Sequence, residues 1–114
     1  MTKAMFHFNT QPGKSSEYAK YVREHRLSDA ALESASVEEW SIFVQGDNVV
    51  VYLQSRDVEE SIRILTQNPE AQQFERGEAE FLIFPETFTP MRQVIGYARS
   101  AQLASSRAPG GATE

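Results

Sequence analysis

Two β-rich runs, residues 37–44 and 49–55, flank the sequence Gln45-Gly46-Asp47-Asn48. Gly-Asp is typical of the two-residue loop of a type II′ hairpin, because glycine readily takes the positive φ that the first loop position requires. A two-residue loop also fixes the register of the strands, and here it places Ser41 opposite Tyr52. The spacing therefore predicts an antiparallel hairpin, the feature that most strongly limits the folds open to this chain.

Both faces of the predicted hairpin are apolar. One face carries Trp40, Ile42, Val44, Val49, Val51 and Leu53. The other face carries Phe43, Val50 and Tyr52. Because each apolar sheet face needs a cover, we expect helices of the same chain on the first face and an identical sheet from a second copy on the other. The hairpin thus predicts a homodimer with two-fold symmetry.

The segment before the hairpin has the pattern of a strand followed by a helix. Apolar side chains alternate along residues 4–9, which predicts a strand with His7 on the side of the second copy. After Pro12-Gly13, an apolar stripe at positions i, i+3, i+4 and i+7 predicts a helix that packs on the sheet: Tyr18, Tyr21, Val22 and His25. His25 is therefore expected to point inward. Residues 26–36 have no clean period and are interpreted as a helix end that runs into a loop.

The segment after the hairpin predicts two more helices and a last strand. Asp57 is expected to cap the first of these helices, with the Glu60 side chain reaching back in a variant of the capping box. Asn68-Pro69 ends that helix and starts the next, because proline suits the first helical position and asparagine is a good cap. Residues 91–99 have the composition of a strand, and the tail at residues 100–114 is expected to be disordered.

The resulting order, β-α-β-β-α-(α)-β, is the split βαβ or ferredoxin-like arrangement. It predicts an α+β domain over residues 1–99, with a four-stranded antiparallel sheet and helices on one face. Two such sheets that pair through their open faces form a dimeric α+β barrel. The length of 114 residues fits a single domain.

Composition and charge argue against several classes of partner. A net charge of −5 disfavours nucleic acid, whose binding requires clustered lysine and arginine. No apolar run approaches the roughly 20 residues that span a bilayer, and the N-terminus lacks the apolar core of a secretory signal. The chain has no cysteine, which agrees with a cytoplasmic location and removes thiolate chemistry.

The motifs that would indicate a cofactor, a metal or a familiar nucleophile are missing. The sequence contains no G-x-G-x-x-G, no P-loop, no H-x-x-x-H and no G-x-S-x-G, so we expect neither a cofactor nor a metal ion. What remains is a set of polar side chains in apolar surroundings: His25, Tyr52, Ser41 and His7. Each also has a structural explanation, as a hydrogen-bonded core residue or as an interface residue. The acidic pairs, including Glu78 with Glu80, are interpreted as solvated surface.

Four segments of the chain resemble the tetracenomycin-type aromatic polyketide cyclases. They are Pro12-Gly13, Glu24-His25, the hairpin SIFVQGDNVVVYLQS and the run LTQNPEAQQFERGEAEFL, and together they fall within residues 5–82. The resemblance implies a dimeric α+β barrel that works without a cofactor. It also implies a pocket between helices and sheet, in which such cyclases guide aldol ring closure and dehydration of a poly-β-ketone.

The resemblance implies a site whose polar residues have changed. The family has a histidine where His25 stands, whereas its acidic residue, its basic residue and its second histidine are replaced here by Arg26, Ser41 and Tyr52. We therefore expect His25 to act as the general base and Tyr52 to donate a hydrogen bond to the enolate of an aromatic polyketide intermediate. The residues expected to bind the substrate are Ser41, Tyr18, Phe43, Trp40 and Arg26.

Three alternatives stay open. The chain also resembles, more faintly, sugar mutarotases of the same barrel type, which would require a pocket ringed by polar groups. A non-catalytic domain that binds a hydrophobic metabolite, or a chaperone-like partner, would have no polar group within hydrogen-bonding reach of His25. A cofactor-free monooxygenase would use Trp40 and the tyrosines to line its cavity.

Overall fold

The structure is a computed structural model and describes residues 1–97. In chain order the elements are β1 (Thr2–Thr10), α1 (Ser15–His25), α2 (Asp29–Ser34), β2 (Val37–Gln45), β3 (Asn48–Ser55), α3 (Val58–Thr66), α4 (Pro69–Glu78) and β4 (Leu82–Ile83). The predicted domain boundary at residue 99 and the predicted disordered tail, residues 100–114, lie outside the described residues.

The four strands form one antiparallel sheet in the order β2-β3-β1-β4. This order places β1 and β3 in the centre and leaves β2 and the short β4 at the edges. The helices pack on one side of the sheet. The predicted α+β, ferredoxin-like fold with helices on one face is therefore confirmed.

The hairpin has the register that its turn predicts. Gly46 has a φ of 58°, while Asp47 keeps a negative φ, as a type II′ turn requires. Gln45 pairs with Asn48, and Ser41 pairs with Tyr52. A register shift lies between Val37 and Glu39, where a bulge bends the start of β2.

Short polar side chains fix the starts of the later helices. Asp57 accepts from the backbone N–H of Glu60 at 3.2 Å, and Asn68 accepts from that of Ala71 at 3.0 Å. The Glu60 carboxylate does not close the predicted capping box, because it pairs with Arg63 in the same helix. Both N-caps were predicted correctly, and the reciprocal half of the capping box was wrong.

A separate helix occupies the segment that we interpreted as a loop. Ser28 caps α2 through a 3.1 Å hydrogen bond from the backbone N–H of Ala31, and it also hydrogen-bonds the Glu70 carboxylate. Ala31 and Ala35 are buried on the inner side of this turn. The interpretation of residues 26–36 as an irregular connection is therefore wrong, because a helix of six residues is too short to show a period.

The fourth strand is not where the sequence predicts it. Leu82 and Ile83 pair with Thr10 and Asn9 at the edge of β1, directly after α4. Residues 84–90 then leave the sheet, since Pro85 and Pro90 cannot donate ladder hydrogen bonds. The chain returns at Met91, whose backbone N–H donates to the carbonyl of Met5 at 2.6 Å, but residues 91–97 form no strand within the described chain.

The sheet has two distinct faces. The inner face packs on the helices and carries Ala4, Phe6, Phe8, Trp40, Ile42, Val51 and Leu53. The outer face points away from the helices, and its centre carries Met5, His7, Ser41, Phe43, Val50 and Tyr52. The hydrophobic core cluster of Tyr18, Val49 and Leu82 joins α1 to the inner face. No helix within residues 1–97 combines the length and the apolar character needed to cross a bilayer.

Candidate functional site

A cavity of about 440 Å³ lies between the inner face of the sheet and helices α3 and α4. The sheet contributes Phe6, Phe8 and Trp40 to its wall, and Ile62 on α3 faces them. Phe74 on α4 meets Trp40 edge to face, with ring centroids 5.9 Å apart. This volume suits a small organic molecule, and most of the lining is aromatic or aliphatic.

An aromatic cluster closes one end of the cavity. Phe84 and Phe88, which lie in the segment between β4 and Met91, both pack edge to face on Phe8, with centroid distances of 5.8 and 5.5 Å. Phe84 and Phe88 also contact each other at 5.5 Å. The segment that leaves the sheet therefore covers the cavity, and Pro90 completes this part of the wall.

Glu78 is the polar group with the most unusual environment at this cavity. It lies at the end of α4, lines the cavity, and accepts a 2.6 Å hydrogen bond on Oε2 from the hydroxyl of Tyr18. Tyr18 itself is fully buried, so the bond anchors the carboxylate from behind. The second oxygen, Oε1, accepts no hydrogen bond from residues 1–97, which leaves it free to meet a ligand.

Burial raises the pKa of Glu78 to about 7, because a charged carboxylate is poorly solvated in this position. This net pKa of about 7 also includes the hydrogen bond from Tyr18, which lowers the pKa, and the carboxylate of Glu75, which raises it. Burial and the nearby Glu78 raise the pKa of the Tyr18 phenol, which therefore stays protonated and remains a donor. A carboxyl group that titrates near neutral pH is well suited to both accept and return a proton.

The charges around the cavity are of one sign. Glu59, Glu75 and Glu78 line it, and no lysine, arginine or histidine among the described residues does. In the part of the chain that the structure describes, no group of three or more His, Cys, Asp or Glu side chains could hold a metal ion. The lining therefore favours a neutral ligand over an anionic one.

His25 does not point inward as predicted. It is exposed at the C-terminal end of α1, where its ring packs at a tilt against the ring of Tyr21, with the centroids 4.9 Å apart. The apolar stripe of α1 reaches the core only as far as Val22, and Tyr21 instead stacks on Phe74 of α4. His25 thus lines an open groove between α1 and α4, which it shares with Glu70, and it makes no hydrogen bond to residues 1–97.

Tyr52 and Ser41 are neighbours, but not in the cavity. Both lie on the outer face, where the Tyr52 hydroxyl donates to Gln54 at 3.2 Å and Ser41 makes a long 3.5 Å contact with Glu39. Phe43 lies on the same face and is 58% exposed. The sheet therefore separates Tyr52 from His25 within one chain, and the structure does not bring the two predicted catalytic residues together.

The remaining residues that were predicted to bind the substrate lie partly at the cavity and partly on the protein surface. Trp40 lines the cavity and Tyr18 lies behind it. Arg26 follows α1 on the surface, donates to the carbonyl of Leu27 and pairs with Asp29 at 2.9 Å. Trp40 therefore faces the ligand space of the cavity, whereas Tyr18, which is fully buried, and Arg26, which lies on the surface, do not line it.

Glu78 departs from the prediction that the acidic pairs form solvated surface, because it lines the cavity. One signal could have identified it: Ala71, Phe74 and Glu78 follow each other at i, i+3 and i+7, so Glu78 continues the inward stripe of α4. An acidic residue at such a position is either a hydrogen-bonded buried group or a functional one.

No family model matches this chain, and neither does any curated protein. Among solved structures, tetracenomycin F2 cyclase from Streptomyces glaucescens, a type II polyketide cyclase, matches with a TM-score of 0.62 and 14% identity. The match covers 86% of this chain and 98% of the cyclase. L-rhamnose mutarotase from Formosa agariphila matches with a TM-score of 0.65 and 15% identity, over 86% of this chain and 100% of the mutarotase.

A putative antibiotic biosynthesis monooxygenase from Chloroflexus aurantiacus also matches, with a TM-score of 0.56 and 11% identity. That match covers 84% of this chain and 95% of the monooxygenase. At such low identity the likeness concerns the fold alone. The chain therefore shares the fold of the dimeric α+β barrel proteins, a fold on which the named relatives differ in their chemistry.

Proposed function

We propose that this protein is a cofactor-independent enzyme that transfers protons on a neutral, flat, apolar ketone, in the manner of a polyketide cyclase. Glu78 is the acid–base group, and Tyr18 positions it. One observation carries the proposal: a partly buried carboxyl with a pKa of about 7 is anchored by a 2.6 Å hydrogen bond at the wall of an aromatic cavity. The roles of general base and hydrogen-bond donor are not given to His25 and Tyr52. The sheet lies between these two side chains, so they cannot act on one substrate within a single chain.

An aldol ring closure needs a group that first removes a proton from the substrate and later returns it. Ionised Glu78 removes a proton from carbon next to a carbonyl, and the resulting enolate attacks a second carbonyl carbon of the same substrate. Protonated Glu78 then returns the proton to the new alkoxide, so the carboxylate is regenerated. With a pKa near 7, both forms of the group are populated at neutral pH, which is the condition under which such a group is most effective.

The lining of the cavity supports an aromatic substrate over a sugar. A pyranose needs a ring of hydrogen-bonding groups, whereas the wall consists mainly of apolar residues such as Phe6, Trp40 and Phe74. Gln72 and Thr66 supply polar groups, but the Gln72 amide nitrogen and the Thr66 hydroxyl each already donate a hydrogen bond to a backbone carbonyl. A mutarotase-like reaction is therefore less well supported than a cyclase-like one.

Hydrogen–deuterium exchange on anthrone tests the proposal. Anthrone is a neutral tricyclic ketone with an acidic methylene group, so its exchange in deuterated buffer under argon, followed by NMR, reports proton abstraction directly. We expect the protein to accelerate exchange and Glu78→Gln to lose at least about a hundredfold of this rate, the usual contribution of a general base. Exchange at the buffer rate with the wild-type protein would contradict the proposal.

Glu59→Gln is the matched control, because it removes a second carboxylate from the same cavity wall. It should retain the exchange rate, whereas an equal loss in both variants would indicate a general charge effect rather than a base. Binding of anthrone without exchange would favour a domain that holds a hydrophobic metabolite. Formation of anthraquinone in air above the buffer rate would favour a monooxygenase.

A further inference from the structure

The floor of the cavity has an aromatic residue at two opposite corners. The register of the sheet places Trp40 on β2 in the same row as Ala4 on β1, and Phe8 lies four residues further along β1. Strand spacing and rise put these corners roughly 10 Å apart across the sheet and roughly 13 Å apart along it. The long dimension of the cavity therefore runs from Trp40 to Phe8, and a flat ligand that fills the cavity follows it.

The Trp40 end of the cavity is held by regular elements. Trp40 lies on β2 and meets Phe74 of α4 edge to face at 5.9 Å. Phe74 is buried, its ring stacks on Tyr21 of α1, and its carbonyl accepts a hydrogen bond from the Tyr21 hydroxyl. A ligand could displace this end only by moving α4 away from the sheet and from α1. The Trp40 end is therefore fixed.

The Phe8 end is closed by the covering segment, residues 84–90. The segment is tied to β1 at both of its ends: Ile83 pairs with Asn9 before it, and the backbone N–H of Met91 donates to the carbonyl of Met5 after it. Between these two ties, no backbone hydrogen bond within residues 1–97 involves residues 84–90. Aromatic contacts with Phe8 hold the middle of the segment in place, and segments of this kind open at a low free-energy cost.

The two phenylalanines of the covering segment are not equivalent. Phe84 is partly buried and packs against the hydrophobic core cluster. Phe88 is 44% exposed and contacts the rings of Phe8 and Phe84, each at 5.5 Å. An aromatic ring of a ligand can take the place of Phe88 on Phe8, because ring–ring contacts depend on geometry rather than on which molecule supplies the ring. Phe88 is thus the wall residue that a longer ligand displaces.

We propose that Phe88 determines the maximum length of the fused-ring compounds that the cavity accepts. A flat, neutral ligand lies between Trp40 and Phe88, and one further ring has to occupy the position of the Phe88 side chain. Binding of the longer ligand then loses the contacts of Phe88 with Phe8 and Phe84, and this loss offsets the gain from the surface that the extra ring buries. The inference rests on the proposed function for the class of ligand, and it is independent of the role of Glu78 in proton transfer.

Quenching of Trp40 fluorescence by quinones of increasing length tests this limit. Trp40 is the single tryptophan of the chain, so its fluorescence reports on the cavity directly. The probes are 1,4-naphthoquinone, 9,10-anthraquinone and 5,12-naphthacenequinone, which are neutral and have two, three and four fused rings. In the wild-type protein, the third ring should tighten binding roughly tenfold, because it buries more apolar surface, whereas the fourth ring should leave the affinity within about threefold of the three-ring value.

Phe88→Ala should remove the limit. We expect the four-ring quinone to bind roughly tenfold more tightly than the three-ring quinone in this variant, because the extra ring enters the space of the missing side chain. Phe88→Leu keeps an apolar side chain in the covering segment and should show a smaller gain in the same direction. Thr87→Ala, in the same segment but outside the cavity wall, should keep the wild-type order of affinities.

Two results would overturn the role of Phe88. One is the same dependence on ring number in the wild type and in Phe88→Ala, and the other is a wild-type affinity that still rises at the fourth ring as it does at the third. Absence of quenching by all three quinones would overturn it as well. Exchange on anthrone tests Glu78 separately, so a limit that shifts in Phe88→Ala without any exchange would contradict the proposed chemistry alone.

Discussion

The pKa of Glu78 is about 7 because its surroundings shift it in opposite directions. Burial and the carboxylate of Glu75 raise its pKa, while the hydrogen bond from Tyr18 lowers it. Tyr18→Phe should therefore shift the midpoint of the pH–exchange profile upward, and Glu75→Gln should shift it downward. The measurement is the anthrone exchange rate between pH 5 and 9. Midpoints that stay fixed in both variants would mean that another group controls the rate.

The same carboxyl makes stability depend on pH. Its pKa is about 7 in the folded chain and 4.5 when solvated, so the folded state binds the proton more tightly than the unfolded state. The stability from this group is therefore complete below about pH 4.5 and is lost as the pH rises through about 7.

Urea unfolding at pH 5 and pH 8 measures this effect. Relative to Glu78→Gln, the wild-type protein should lose roughly 2 kcal/mol of unfolding free energy between these two pH values. Other carboxylates titrate in both proteins, so the difference between them isolates Glu78. A parallel pH dependence in the two proteins would show that Glu78 has an ordinary pKa in the folded chain.

Single residues also mark the limit of what the sequence predicts. The apolar pattern placed Trp40 and Tyr18 correctly, because their surroundings follow from a strand and a helix with clear periods. It failed for His25 and Glu78, whose exposure depends on how α1 and α4 meet. Tyr18 and Glu78 are 60 positions apart in the chain, and no local pattern links them.

At the scale of elements, α1 and α4 approach each other closely at Gly77. A Cβ atom on Gly77 would overlap the ring and hydroxyl of Tyr21. That hydroxyl donates to the carbonyl of Phe74 at 2.9 Å, and the Tyr21 ring stacks on Phe74. The glycine is therefore explained by the space that α4 must leave for Tyr21.

Gly77→Ala should consequently destabilise the fold by about 1–2 kcal/mol, although alanine is the better helix former by about 1 kcal/mol. Thermal or urea unfolding measures the change. Gln73→Ala, on an exposed position of the same helix, is the control and should be neutral or slightly stabilising. A stabilised Gly77→Ala variant would show that Tyr21 moves aside at no cost.

Elements defined by local chemistry were predicted well, and those defined by distant contacts were not. The hairpin register followed from its turn, and Asp57 and Asn68 marked two helix starts. In contrast, α2 is supported by Ser28, which bonds Glu70 from 42 positions away. The last strand was predicted at residues 91–99, whereas residues 82–83 pair with the edge of β1. Which of two apolar segments pairs with a sheet edge depends on tertiary contacts, which a local pattern does not contain.

For the molecule as a whole, the fold is compatible with several different activities, and the lining of the cavity gives more specific information about the function. A cyclase, a mutarotase and a putative monooxygenase share this architecture with the chain at 15% identity or below. The cavity of this chain has an aromatic wall with three carboxylates. Function on a shared fold resides in such details.

The charge of the molecule and of its cavity leads to a prediction about ligand choice. The chain carries a net charge of −5, and Glu59, Glu75 and Glu78 face the ligand space. Two anthracenes of nearly equal size, 9-hydroxymethylanthracene and anthracene-9-carboxylate, differ mainly in charge. We expect the neutral compound to bind at least about tenfold more tightly at pH 8, because one unfavourable charge contact in a partly buried site costs this much or more.

Fluorescence titration of the two anthracenes at pH 8 and pH 6 measures this preference. The preference should shrink at the lower pH, because Glu78 takes up a proton between these values and one of the three repulsive charges disappears. Glu78→Gln should show the smaller preference at both pH values, whereas Glu17→Gln, on the exposed surface of α1, should behave as the wild type. Equal affinity for both compounds at pH 8 would show that the carboxylates do not govern which ligands enter the cavity.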